Sequence, residues 1–65
     1  MQITVNGEPL EFSGSSIADL LAELKLTGRR LAVEVNREII PKGLHAEHAL
    51  HDRDAVEIVH AIGGG

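Results

Sequence analysis

The chain contains no cysteine. That excludes disulfide staples and thiolate metal sites, and equally a persulfide, a thioester acceptor or a thiol nucleophile on this protein. Covalent cargo that needs a thiol must be handled by another molecule. Aromatic residues are nearly absent too, with Phe12 alone and neither Trp nor Tyr. Proteins that hold nucleic acids stack bases on aromatic rings and present a basic face. Here the formal net charge is -4, and the bases Lys25, Arg29, Arg30, Arg37, Lys42 and Arg53 are scattered along the sequence. Nucleic acid is therefore not an expected partner. A basic protein surface is, because complementary charge speeds association. No apolar run approaches the ~20 residues of a membrane span. The N-terminus enters a strand pattern directly, without the basic and apolar regions of a signal peptide. The expected location is the cytoplasm, with no membrane partner.

What is present suffices for one small core. At 65 residues and 7.0 kDa the chain lies near the lower size limit for a fold held by apolar burial alone. Its 43% hydrophobic content is too high for a disordered chain. Gln2-Ile3-Thr4-Val5 alternates polar and apolar, and Asn6-Gly7 suits a tight hairpin turn because both residues tolerate positive φ. Leu10 and Phe12 continue the pattern in a second strand, where Pro9 favours an edge or strand-start position. Gly14-Ser15-Ser16 breaks that strand, and Ser16 with Asp19 forms an approximate capping box. Ile17, Leu20, Leu21 and Leu24 then fall on one helical stripe, which Thr27-Gly28 ends, with Gly28 as a left-handed cap. Leu31, Val33 and Val35 share one side of a third strand, Asn36-Arg37 turns it, and Glu38-Ile39-Ile40 makes a short fourth. The stretch from Leu44 to His51 reads as a turn of helix and an extended piece. Asp52-Arg53-Asp54 turns into a last strand whose Val56 and Ile58 point to the core. One helix cannot cover both faces of a sheet, so the expected class is an α+β roll, a mixed four- to five-stranded sheet packed on one main helix.

Few side chains on this body offer chemistry. His45, His48 and His51 are spaced three apart and could share a metal on a continuous helix. The weak helical pattern and the flanking Gly43 and Asp52 favour solvated histidines instead. Ser13, Ser15 and Ser16 lie at a strand–helix junction, where capping accounts for them better than a nucleophilic triad. Asp52 and Asp54 fit turn chemistry rather than a catalytic carboxylate pair, and no glycine-rich phosphate loop is present. The body is not expected to be an enzyme, and no catalytic, cofactor-binding or metal residue is assigned to it.

The carboxyl end differs. Gly63-Gly64-Gly65 follow directly on the strand pattern and leave an unhindered carboxylate on a flexible tether. Extended, residues 61–65 reach roughly 17 Å at about 3.3–3.6 Å each, enough to enter another protein's cleft. A carboxylate is a poor electrophile until a partner converts it to a mixed anhydride, such as an acyl-adenylate made with ATP. Attack by sulfide or persulfide on that anhydride gives a thiocarboxylate. Glycines allow the partner to close around the acyl carbon and exclude water.

Taken together, the Asn6-Gly7 hairpin, the helix Ser16-Ile17-Ala18-Asp19-Leu20-Leu21, the segment Val33 to Lys42, the run Asp52 to Val59 and the Gly-Gly end resemble the ThiS-type sulfur carriers of thiamine biosynthesis. The resemblance covers essentially the whole chain, with Arg53 standing where the family pattern has glycine. It implies a β-grasp, ubiquitin-like domain over residues 1–60 and a flexible tail over 61–65. It implies that Gly65 is adenylated by a ThiF-type, E1-like enzyme and converted to a thiocarboxylate, with ATP used by that partner and no cofactor bound by this chain. Sulfur would come from a cysteine desulfurase relay and pass to thiazole synthase. Gly63 and Gly64 would be the threading segment, and Ile62 an apolar anchor beside the channel. Val59 and Ala61, opposite in parity to Val56 and Ile58, would extend an exposed docking patch. The same terminus would also serve the small subunit of molybdopterin synthase or a ubiquitin-like protein modifier. A TGS-like regulatory module shares the fold without needing the glycines.

Overall fold

The computed structural model describes residues 1–60. Its first hairpin is set by Asn6 and Gly7, whose φ angles of 52° and 84° are the paired left-handed values of a two-residue turn. They join β1 (Gln2–Val5) to β2 (Glu8–Glu11), with Val5 opposite Glu8 and Thr4 opposite Pro9. β2 is an edge strand, where the missing proline donor is tolerated. Past β2, the Phe12 N–H donates to the Met1 carbonyl at 2.8 Å and the ring is fully buried. Gly14 passes so close to that ring that a Cβ there would lie 2.7 Å from it and 2.8 Å from the Cβ of Asp19.

Helix α1 (Ile17–Glu23) opens on a complete capping box. The Asp19 N–H donates to the Ser16 hydroxyl at 3.1 Å, and the Asp19 carboxylate accepts the Ser16 N–H at 3.0 Å. The next free helix donors are met from the far end of the chain: Ile17 N–H bonds the His48 carbonyl and Ala18 N–H the His45 carbonyl, at 3.1 and 3.0 Å. The expected stop at Gly28 is wrong. The helix ends at Leu24, and Lys25 takes the left-handed cap with φ 61°. Lys25 N–H bonds the Ala22 carbonyl and Leu26 N–H the Leu21 carbonyl, the paired bonds of a Schellman ending. Leu26 thereby folds back onto the core beside Leu21, and that apolar contact outweighs the absence of glycine at Lys25. Gly28, with φ 85°, serves the turn that follows.

β3 (Leu31–Val35) and β4 (Glu38–Ile40) form the second hairpin around Asn36 and Arg37, both left-handed. A 3-10 turn at Lys42–Leu44 and a bridge between Ser16 and Ala49 lead to β5 (Ala55–His60). The sheet order is β2-β1-β5-β3-β4, with β5 parallel to β1 and antiparallel to β3. That mixed five-stranded sheet on one helix is the expected roll. Ile3, Val33, Val35, Ile40, Val56 and Ile58 meet Phe12, Ile17, Leu20 and Leu50 in a single core on the helix side. Among the described residues no helix is long and apolar enough to cross a membrane.

Candidate functional site

β5 is the strand that leads to the glycines, and two asparagines from distant turns hold it. At its start, Ala55 N–H donates to the Asn36 side-chain oxygen at 3.0 Å, and Asn36 N–H donates to the Ala55 carbonyl at 2.8 Å. The Asn36 amide also donates to Asp54 Oδ1. Further along, β1 turns away after Val5, leaving Ile58 without a strand neighbour on that side. The Asn6 side chain fills the gap: Ile58 N–H donates to its oxygen at 2.7 Å and its Nδ2 donates to the Ile58 carbonyl at 3.1 Å. One side-chain amide thus mimics a peptide unit of β1 and extends the ladder. From sequence, Asn6 and Asn36 read only as turn formers; the long-range half of their work has no local signal.

The face of the sheet away from α1 is open around β5. Val59 is exposed there, opposite Ala32 on β3, with Glu34 and Ile39 paired alongside. Val59 and Ile39, 56% and 67% exposed, line a shallow depression of about 240 Å³ with Ala32, Glu34 and Glu57. The structure therefore places Val59 on an exposed apolar patch, and it adds Ile39 and Ala32, which sequence reasoning did not assign. Adjacent Ile39 and Ile40 carry the signal, since strand alternation must turn one of the two outward. The other expected site residues, Ala61, Ile62, Gly63, Gly64 and Gly65, lie outside the described residues.

The remaining candidates resolve into structural roles. His45 is buried, contrary to the expectation of three solvated histidines. Its Nε2 lies 2.9 Å from the Ile40 carbonyl, to which it donates, so it ties the 3-10 turn to β4. His48 is half-buried and His51 exposed, and among the described residues no three His, Asp or Glu side chains are placed to hold a metal. Asp52 Oδ1 accepts the Gln2 N–H at 2.7 Å and Asp54 Oδ2 the His51 N–H at 2.8 Å, so both carboxylates shape the turn before β5. Within that turn Arg53 is left-handed, with φ 74°. At the start of α1, the Ser16 N–H foremost, then the Ser15 N–H and hydroxyl, hold the Asp19 carboxyl below the usual range.

Comparison with known proteins bears on the whole chain. The model of the ThiS family matches residues 3–65. The sulfur carrier protein ThiS of Bacillus subtilis is 42% identical over 65 residues, covering 97% of this chain and 98% of that one. A thiazole synthase of Paramagnetospirillum magneticum is 47% identical over 66 residues, and this chain spans only 20% of its length. The crystal structure of the thiamine biosynthesis protein ThiS from Geobacter metallireducens superimposes with a TM-score of 0.85 at 35% identity, over all of both chains.

Proposed function

The chain belongs to the ThiS family, and on that premise we propose that it is a sulfur carrier of thiamine biosynthesis whose reactive group is the Gly65 carboxylate. A ThiF-type enzyme activates that group. A carboxylate oxygen attacks the α-phosphorus of ATP, the new C–O–P bond forms and pyrophosphate leaves. A sulfur nucleophile from a cysteine desulfurase relay then attacks the acyl carbon, and AMP departs with the electron pair of the C–O bond. Where the nucleophile is a protein persulfide, a second thiol cleaves the resulting acyl disulfide and frees the thiocarboxylate. Thiazole synthase takes the sulfur. The chain is a co-substrate rather than an enzyme, acts in the cytoplasm and binds no cofactor itself, while the ATP belongs to its activating partner.

The observation that carries this reading is the full-length family match, which reaches the glycines at 63–65. The arrangement of β5 supports it. Asn36 and Asn6 fix the strand as far as Ile58, so the residues after it leave from a defined place. Gly63 and Gly64 thread the partner's channel, with Ile62 as apolar anchor. Val59 and Ala61, together with Ile39, form the docking patch on the open face. None of the comparisons favours a molybdopterin synthase subunit, a protein modifier or a TGS-like module. Intact-mass measurement after incubation with ATP, the ThiF-type enzyme and a sulfur source tests the reading. The chain gains the mass difference between sulfur and oxygen, and a variant lacking Gly65 does not. No gain in the wild type, or the same gain without Gly65, rejects it.

A further inference from the structure

The turn that carries Asn6 is also a place where this chain can react with itself. Asn6 and Gly7 are both exposed, and no heavy atom lies within 4 Å of where a Cβ on Gly7 would stand. Among the described residues neither the Asn6 carbonyl nor the Gly7 N–H is hydrogen-bonded, so the peptide between them turns without losing a bond. The backbone on both sides is pinned, by Asn6 N–H to the Val56 carbonyl at 2.8 Å and by the pairing of Val5 with Glu8. Turning that peptide over converts the present turn, left-handed at both central residues, into the other two-residue hairpin turn, left-handed at the first alone. The strands keep their register, and glycine accepts either sign of φ. In the flipped turn ψ of Asn6 is roughly −120°, which brings the Gly7 nitrogen to the same side of the Cα–C bond as the Asn6 Cβ. A five-membered ring between that nitrogen and the side-chain carbonyl carbon can then close.

We propose that Asn6 is a modification site, at which the chain deamidates itself and thereby releases the end of β5. The Gly7 nitrogen, giving its proton to solvent base, attacks the side-chain carbonyl carbon of Asn6. The bond to Nδ2 breaks and ammonia leaves, giving a succinimide. Water opens the ring at either carbonyl, to aspartate or to isoaspartate with the backbone rerouted through the side chain. The two hydrogen bonds to Ile58 act as the brake, because they hold the side-chain amide away from Gly7. Once the product forms, the clamp does not re-form. Aspartate still accepts the Ile58 N–H, but its second oxygen replaces the donor Nδ2 and faces the Ile58 carbonyl, acceptor against acceptor. Isoaspartate lengthens the backbone of a two-residue turn and misplaces the side chain. Asn36 is the internal contrast: it is also left-handed with a bonded side chain, but Arg37 follows it and its side chain crowds the attacking nitrogen. The chemistry at Asn6 stands without the sulfur-carrier reading; its consequence for transfer rests on that reading.

Peptide mapping by mass, on the full chain held in native buffer at mildly alkaline pH and sampled over days, tests the proposal. Residue 6 exchanges an amino for a hydroxyl group at least about tenfold faster than residue 36, where a side chain obstructs the attack. Gly7→Ala, checked for folding by thermal melt, slows the conversion; should that variant not fold, the comparison of the two asparagines within the wild-type chain decides alone. In Asn6→Asp, which supplies the product without the reaction, the Ile58 amide exchanges with solvent faster than in the wild type. Thiocarboxylation per folded molecule slows in the same variant. Conversion at residue 6 no faster than at residue 36, or proceeding only in proportion to the globally unfolded fraction, overturns the proposal. So does an Asn6→Asp chain whose Ile58 amide stays fully protected. A wild-type chain that acquires no sulfur rejects the carrier reading instead and leaves the mapping result intact.

Discussion

Replacing Asn6 by glycine isolates the bond between β5 and the first hairpin. Glycine keeps the left-handed φ of 52° without strain and removes only the side-chain amide. Two hydrogen bonds to Ile58 are lost, at 2.7 and 3.1 Å. Each contributes about 1 kcal/mol net. Ile58 is only 7% exposed, so water replaces them incompletely, and the expected loss is about 2 kcal/mol. A domain of this size has roughly 3–10 kcal/mol in total, so the substitution removes a large share. Asn6→Ala loses the same bonds and adds about 1 kcal/mol for a left-handed residue bearing a Cβ. Urea unfolding therefore ranks wild type above the glycine variant and glycine above alanine. Hydrogen exchange at the Ile58 amide accelerates beyond the global change, because its acceptor is gone. A glycine variant within about 0.5 kcal/mol of wild type, the ordinary scatter of surface changes, with Ile58 still protected, refutes the reasoning.

Arg53→Gly relieves a left-handed residue at φ 74° whose ion pair with Asp52 is long and exposed. Relief of about 1–2 kcal/mol, less the extra freedom glycine brings to the unfolded chain, gives a net gain of about 0.5–1 kcal/mol, and a lower urea midpoint contradicts it. Gly14→Ala drives a methyl into the Phe12 ring and Asp19 at under 3 Å, for a loss of about 1–3 kcal/mol by thermal unfolding; an unchanged melt shows that the loop yields freely. Asp19 is held below its ordinary value by the Ser16 and Ser15 donors, so its contribution is full above the unfolded-state pKa and is lost as pH falls through the lowered folded-state value. The stability difference between wild type and Asp19→Asn accordingly shrinks on acidification, and a constant difference across that range counts against the capping box as its source.

Elements whose signals are local were legible in the sequence. Asn6-Gly7, the Ser16–Asp19 box and the alternation in β3 and β5 each name a conformation from a few adjacent residues, and all are found. What escaped was decided by contacts across the chain. The helix stops before Gly28 because Leu26 packs back beside Leu21, and the choice between a glycine and a lysine cap depends on that contact. His45 reads as a polar loop residue, yet the fold buries it against the Ile40 carbonyl. Arg29 and Lys42 look scattered because thirteen positions separate them in sequence, and the fold brings both to the cavity lined by Leu21, Leu26 and Leu31. The exposure of Val59 was legible through parity, while its neighbours Ile39 and Ala32 needed the β3–β4 and β3–β5 registers to join it.

The two asparagines explain how so small a body can present a strand accurately. β1 pairs with β5 only at Ala55 and Val56, a short parallel contact that leaves the later half of β5 supported from the β3 side alone. A strand held along one edge twists and frays at its free end, and a reacting group beyond it would then approach its partner over a wide range of directions. Asn6 restores the missing edge at Ile58 without lengthening β1, and Asn36 fixes the opposite end at Ala55. On the proposed sulfur-carrier reading, orientation supplied in advance by the fold is entropy that an activating enzyme need not supply when it closes on the carboxylate. The same logic makes Asn6→Gly informative beyond stability. Under conditions where the variant remains folded, its thiocarboxylation by the ThiF-type enzyme slows more than the folded fraction explains. Equal rates per folded molecule would mean that the clamp serves the fold and not the transfer.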